Sequence, residues 1–313
     1  MKDLISRFKG SIYGLAVGDA LGFPNEFLRT DEIKNRYGQS GLTDFQPFYG
    51  LPPGSYSDDT QMSLALSRAI IRTVSFSVED FMAYVKEEFV NWSRSPENNR
   101  SPGQACMTGC DNMDKGVHWN ISGDNWSKGC GAAMRAAPLG LVFHKNKEKL
   151  FELAYAASIC THGNPTGVAA GVGTAYATAL ALDETEPLEI IDRVCDIPHP
   201  PAEYVQKVRQ VKDVLEMEPS KAIPVLGEGW VGEEALAIAL YIFNKFSGDY
   251  TRSVLTAANT NGDSDSLACI TGAISGAFNG IEAVPEKWVQ AVENSHLLGE
   301  IAVNLYRRHL RLC

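Results

Sequence analysis

Three stretches built from small residues constrain this chain more than any other feature. Residues 6–21, 166–182 and 264–278 are rich in Gly, Ala, Ser and Thr, and larger apolar residues recur among them at helical spacing. Helices with so little side-chain bulk become stable only where neighbouring backbones approach closely enough to leave no void. Apolar positions elsewhere follow the same period, as at Met62, Ala65, Leu66, Ala69 and Ile70 in a helix predicted over 58–72. Ser77 fits the N-cap of the next helix, which runs to residue 92 with Asp80 in its first turn. Further helices are predicted over 31–36, 104–113, 132–143, 147–160, 187–194, 201–217, 233–246, 250–258, 285–293 and 296–311, with Pro138 limiting the 132–143 stretch. Residues 38–55, 93–103 and 116–131 lack a period and read as long loops. No alternating β-branched run is bounded by hairpin turns, and no Ser/Gly linker interrupts the helical pattern. The expected fold is all-α, one compact multi-helical domain over residues 1–313.

Charge and composition narrow the classes of partner. With 44% hydrophobic and 21% charged residues the chain has ample material for a core. A formal net charge of -10 makes a nucleic-acid partner unlike this surface, although helix N-termini and metals hold anions locally. The first ten residues are too charged for a signal peptide, and the most apolar run, 168–182, ends at Asp183 and Glu184, short of a membrane span. Seven cysteines at scattered positions make no disulfide framework. Cys106, Cys110 and Cys130 lack the histidine pair of a zinc site. Buried free thiols in a reducing cytoplasm, with no membrane partner, are the expectation.

Two acidic stretches about 200 residues apart carry the chemistry: Ser57-Asp58-Asp59-Thr60 and Gly262-Asp263-Ser264-Asp265-Ser266. Each sets two carboxylates and hydroxyls at the start of a helical pattern. Ser and Asp belong at N-caps and first-turn acids suit the helix dipole, so either stretch alone reads equally well as a cap. Together they form an oxygen-only set without sulfur or imidazole, which favours hard ions such as Mg²⁺, Mn²⁺ or Ca²⁺. Four crowded carboxylates need compensating charge, and a pair of divalent ions would supply it.

Further motifs lie in order along the chain: Gly18-Asp19-Ala20-Leu21-Gly22, Gly131-Ala132-Ala133-Met134-Arg135-Ala136-Ala137-Pro138 and Thr161-His162-Gly163-Asn164-Pro165. With the two acidic stretches they make five, and the chain from about residue 8 to about 281 resembles the ADP-ribosylglycohydrolase family. That family includes dinitrogenase reductase-activating glycohydrolases and ADP-ribosylarginine hydrolases. The resemblance implies an all-α fold with two Mg²⁺ or Mn²⁺ ions in a cleft. It implies Ser57, Asp58, Asp59, Asp263, Asp265 and Ser266 as metal ligands, and Glu26 on a loop that closes over the site in part of the family. It sets Gly129, Cys130 and Gly131 beside the diphosphate or distal ribose and His162 in the ADP-ribose pocket, with Cys130 standing where many members have Asn. Arg100-Ser101-Pro102-Gly103 departs from the more usual Arg-Gly-x-Gly.

Read singly, the other residues have structural roles. Asp19 is expected to bond backbone groups of the following loop, Arg135 to pair with a buried acid, and Trp126 and Tyr56 to be core, rim or base-stacking aromatics. The function implied is metal-dependent hydrolysis of the bond between ADP-ribose and a side chain of a modified protein, arginine first, releasing ADP-ribose. Asp58, Asp59 or Glu26 would take the proton of the attacking water. Three alternatives stay open: serine-linked, nucleic-acid-linked or free ADP-ribose derivatives as substrates; a non-catalytic ADP-ribose-binding or structural protein; and an unrelated metal phosphohydrolase.

Overall fold

A computed structural model describes residues 3–312. Among them the helices are α1 (Leu4–Gly22), α2 (Thr30–Tyr37), α3 (Asp58–Arg72), α4 (Val78–Ser93), α5 (Gln104–Asp114), α6 (Ala137–Phe143), α7 (Lys147–Ile159) and α8 (Pro165–Leu182). The second half continues with α9 (Pro187–Arg193), α10 (Ala202–Val214), α11 (Pro219–Leu226), α12 (Gly232–Lys245), α13 (Tyr250–Ala258), α14 (Ser264–Asn279), α15 (Glu286–Ala291) and α16 (Ser295–Leu310). Strand pairing among the described residues is limited to isolated bridges, Phe48–Leu51, Asp124–His162 and Gly129–Val231. The fold is therefore all-α, as the periodicity predicts.

The small-residue helices occupy the centre. Every residue of α8 from Thr166 to Leu182 is buried. Gly10, Gly14, Gly18 and Gly22 fall four apart on one face of α1 and meet α14. A Cβ on Gly14 would lie 2.3 Å from the Gly272 carbonyl oxygen, and one on Gly272 would lie 2.1 Å from the Gly14 oxygen. The two backbones are in contact, and glycine is required where they touch. Gly10 faces Gly276, and Gly22 faces Ser264 and Asp265, so the helices run antiparallel. The end of α1 is thereby fixed beside the start of α14, which brings Asp19 next to the second acidic stretch.

Two stretches fold differently from the sequence expectation. Over 132–143 the regular helix α6 begins only at Ala137, because Cys130–Ala132 forms a 3-10 turn and Pro138 sits in the first turn of α6. Over 201–217 the helix α10 stops at Val214, and α11 follows with Pro219 in its first turn and Pro224 inside it. An internal proline lacks the N–H of the helical ladder, which hides a short helix from pattern reading. No helix among the described residues is long and apolar enough to cross a membrane.

Candidate active site

The first acidic stretch is held in place by a residue from another helix. Asp19 of α1 accepts from the backbone N–H of Ser57 (2.9 Å), the N–H of Thr60 (2.9 Å) and the Thr60 hydroxyl (2.5 Å). Those are donors that a helix start leaves unpaired. Ser57 is the N-cap of α3, its hydroxyl accepting from the Asp59 N–H at 3.3 Å. Asp19 thus binds backbone groups as expected, but those of residues 57–60 rather than of the loop that follows it. The second stretch enters α14 through Gly262, whose φ of +82° favours glycine. There the Asp263 N–H donates to Glu228 O at 3.0 Å and the Ser264 hydroxyl to Gly22 O at 3.0 Å.

Asp58, Asp59, Asp263 and Asp265 are buried at the adjoining starts of α3 and α14. Burial is the largest influence on each, and it holds the carboxyls of Asp58, Asp59 and Asp263 well above the usual carboxylate range, with the neighbouring Asp265 next. Asp265 is raised by burial too, against a hydrogen bond with Asp263 and backbone donors. Asp19 is pushed up to about 7 by burial and Asp265 despite its three donors. Glu26 is pushed up to about 10, by burial first and then by Asp265 and Asp263. The first acidic stretch, the second and Glu26 therefore face one another in a single acidic patch.

No Lys, Arg or His forms an ion pair with these acids among the described residues. Asp59 Oδ2 and Glu26 Oε2 are buried without any hydrogen-bond partner. An orphaned, buried carboxylate oxygen is expensive unless a cation completes it. No three of His, Cys, Asp and Glu among the described residues close on one ion as they stand. Ions held here would draw on the hydroxyls of Ser57 and Ser266 and on water as well as on the carboxylates.

The Gly129–Gly131 turn borders this patch. It is tied to the 227–232 segment by the Gly129–Val231 bridge and by the Gly232 N–H donating to Lys128 O at 2.8 Å. Cys130 turns inward, its thiol donating to Asp263 Oδ2 at 2.7 Å and lying 3.4 Å from the Ser266 hydroxyl. The cysteine thus makes polar contacts with the second acidic stretch. A Cβ on Gly131 would meet His162 Cε1 at 2.8 Å and Cys106 Sγ at 2.7 Å, so only glycine lets the turn rest on those side chains. His162 itself is buried behind the turn, its Nδ1 2.8 Å from the Thr161 hydroxyl. Burial and the Arg135 charge push its imidazole down to about 3, so it is neutral.

Arg135 departs from the sequence expectation. It pairs with no acid and donates instead to Gly131 O (2.6 Å), Ala157 O (2.9 Å) and the Thr161 hydroxyl (2.6 Å), with its guanidinium 4.9 Å from the Phe89 ring centroid. Backbone carbonyls satisfy the N–H donors of the buried guanidinium without neutralising its charge, and here they fix the floor of the turn. Tyr56 is core, accepting from Asn294 at 2.9 Å, while Trp126 is 91% exposed and stands apart from the core.

The segment at residues 100–103 also reaches the carboxylates. Arg100 O accepts from the Asp58 N–H at 3.2 Å, and the Gly103 N–H donates to Asp58 Oδ2 at 3.3 Å. Arg100 is anchored by two bonds to Glu293 (2.5 and 3.0 Å) and one to Tyr56 O (2.9 Å). Sequence reasoning marked this stretch only as a departure, and the part-buried Arg100–Glu293 pair spans too many residues to be read from pattern.

Known proteins agree with this architecture. A family model described as ADP-ribosylglycohydrolase matches residues 1–311. An uncharacterised protein of Archaeoglobus fulgidus is 35% identical over 98% of this chain and 98% of its own length. ADP-ribosylarginine hydrolase Tri1 of Serratia proteamaculans is 24% identical over 96% of this chain and 79% of its own. A solved structure titled ADP-ribosylglycohydrolase-related protein complex superposes with a TM-score of 0.81 at 25% identity, covering 99% of this chain and all of that one. Fold, acidic patch and whole-length match lead to one conclusion: this chain belongs to the ADP-ribosylglycohydrolase family and is an enzyme of that class.

Proposed function

We propose that this enzyme hydrolyses the bond between ADP-ribose and an arginine side chain of a modified protein, with two divalent cations, Mg²⁺ or Mn²⁺, held by Ser57, Asp58, Asp59, Asp263, Asp265 and Ser266. The observation that carries the metal assignment is the buried patch of carboxylates with no cation of its own and an orphaned Asp59 Oδ2. When bound, such ions would supply the missing positive charge, hold ribose hydroxyls and make a water acidic enough to attack.

The chain's own groups divide the rest of the work. The anomeric carbon of the distal ribose passes through an oxocarbenium-like state, which a concentration of carboxylate charge stabilises. Asp58 or Asp59 would take the proton of the attacking water through a carboxylate oxygen that no ion holds. Gly129 to Gly131 border the place where the diphosphate or ribose would lie, and the neutral His162 supports that turn from behind. Cys130 orients Asp263 and Ser266 through its thiol.

Arginine is favoured as the leaving group because a guanidinium departs as neutral guanidine and needs no acid. The name of the Serratia relative, an ADP-ribosylarginine hydrolase, supports the same choice. One observation favours a second reading. In the metal-free chain burial, Asp265 and Asp263 push the Glu26 carboxyl up to about 10, and a protonated Glu26 facing the patch would supply the proton that an oxygen-linked substrate such as ADP-ribosyl-serine requires. ADP-ribosylated protein is then the partner and free ADP-ribose the product. The six free cysteines among the described residues fit a reducing compartment such as the cytoplasm, and residues 1–313 act as one domain.

Incubation with ADP-ribosyl-arginine and ADP-ribosyl-serine peptides, with and without Mg²⁺, followed by mass analysis, tests both readings. Release of ADP-ribose from the arginine peptide in Mg²⁺ alone supports the first. Release from the serine peptide only moves the assignment to the second, and a cut in the diphosphate contradicts both.

A further inference from the structure

One aromatic contact lies outside the carboxylate patch, directly beside Glu26 in the chain. Phe27, directly after Glu26, has φ +70°, a backbone region that a side chain of its size rarely adopts. That conformation lets the Phe27 N–H donate to Gly262 O at 3.2 Å and puts its ring on Trp230, with centroids 5.2 Å apart and planes 21° from parallel. Phe27 is 61% exposed and Trp230 37% exposed, so ordinary core burial does not explain why two large aromatics meet here. Three turns are knit together at this point. The 25–28 turn bonds Gly262, the Asp263 N–H bonds Glu228 O, and Trp230 lies between Glu228 and the Val231–Gly129 bridge. The Trp230 indole nitrogen lies 3.1 Å from where a Cβ on Gly262 would be, so the indole packs on the turn that delivers Asp263.

We propose that Trp230 is a positioning residue: by stacking on Phe27 it holds the 25–28 turn, and with it the Glu26 carboxyl, over the acidic patch. The inference rests on the catalytic reading above only for what Glu26 does; that Trp230 holds the turn is a matter of geometry alone. Without the indole Phe27 loses its ring stack, and the turn keeps the Gly262 hydrogen bond and its own local bonds. A displacement of about 1 Å at a reacting group costs on the order of 100-fold in rate.

The test compares Trp230→Ala, Trp230→Phe and Phe27→Ala with the parent by hydrogen exchange of the 24–30 segment and by steady-state kinetics. Trp230→Ala should exchange the Phe27 amide at least about tenfold faster while α8 and α14 stay as protected as in the parent. With the arginine or serine peptide, whichever the parent cleaves, kcat should fall about 10- to 100-fold and KM change less than about threefold. Trp230→Phe should restore kcat to within about threefold of the parent. In a Glu26→Gln background the Trp230 change should cost less than about twofold, since it acts through Glu26. Phe27→Ala removes the same stack from its more exposed partner and serves if Trp230→Ala fails to fold. Unchanged exchange of the residue-27 amide in both alanine variants overturns the proposal, as does a full additional loss in the Glu26→Gln background. If the parent cleaves no ADP-ribosyl substrate, the proposed function fails and the exchange result still decides whether Trp230 holds the turn.

Discussion

Removing a carboxylate from the acidic patch should stabilise the metal-free enzyme. Asp59→Asn is the sharpest case. Asp59 is 2% exposed, Oδ2 has no donor, and the nearest influences after burial are four other aspartates, Asp265, Asp19, Asp58 and Asp263. A buried acceptor left without a donor costs about 1–3 kcal/mol, more when charged. Asparagine keeps the shape, removes the charge and offers two N–H donors to the neighbouring carboxylates. The expected gain is about 1–3 kcal/mol, or about 2–5 °C in Tm for a chain of 313 residues. In saturating Mg²⁺ the order should reverse. At a hundredfold excess over Kd each of the two ions adds about 2.7 kcal/mol to the parent by mass action, while a variant lacking a shared ligand gains much less. The assay is thermal unfolding of parent and variant in EDTA and in Mg²⁺. A helix-cap role predicts another pattern, a loss of about 0.5–2 kcal/mol whether or not metal is present. Destabilisation of equal size in both buffers would refute the reasoning.

Asp59→Ala and Asp265→Ala should each abolish most turnover, and the double variant should lose little more, because residues that share ions act as a unit; rates for all three in Mg²⁺ check this. Asp19→Ala strips the N–H groups of Ser57 and Thr60 of their acceptor and should cost about 2–4 kcal/mol in denaturant unfolding, with activity falling as residues 57–60 loosen. Gly14→Ala, whose Cβ would lie 2.3 Å from Gly272 O, should cost about 3 kcal/mol by forcing α1 and α14 apart. His162 titrates at about 3 when folded against an ordinary 6.5, so between those values the unfolded chain holds a proton that the folded chain does not. Its contribution is complete above pH 6.5 and is lost as pH falls toward about 3, at up to about 1.4 kcal/mol per pH unit. The metal-free carboxylates act in the opposite sense, so the difference between parent and His162→Gln isolates the histidine, and the variant should lose less stability over that window.

Local pattern carried much of this architecture. Tyr250–Ala258 and Asp58–Arg72 have the bounds that the periodicity predicts, because their caps and apolar stripes lie within the same few residues. The two acidic stretches were legible for the same reason, each standing at the start of a helix, with Ser57 capping α3. What sequence could not show is what depends on distant partners. Asp19 reads as a helix-end acid until the α1–α14 contact sets it against Thr60, 41 residues away. Arg135 suggests a buried acid by its chemistry, yet the carbonyls of Gly131 and Ala157 happen to converge on it. The Phe27–Trp230 stack joins two loops with no period of their own, and α11 was hidden by its internal proline.

The proposal that most needs testing is that Ser57, Asp58, Asp59, Asp263, Asp265 and Ser266 hold a pair of divalent ions. Crystals grown with Mn²⁺ and measured on both sides of the manganese absorption edge test it most directly. The account predicts two anomalous peaks between the start of α3 and the start of α14, each within about 2.0–2.4 Å of carboxylate or hydroxyl oxygens from both stretches. No peak in that patch at saturating Mn²⁺, or peaks bound only by residues outside it, would contradict the account.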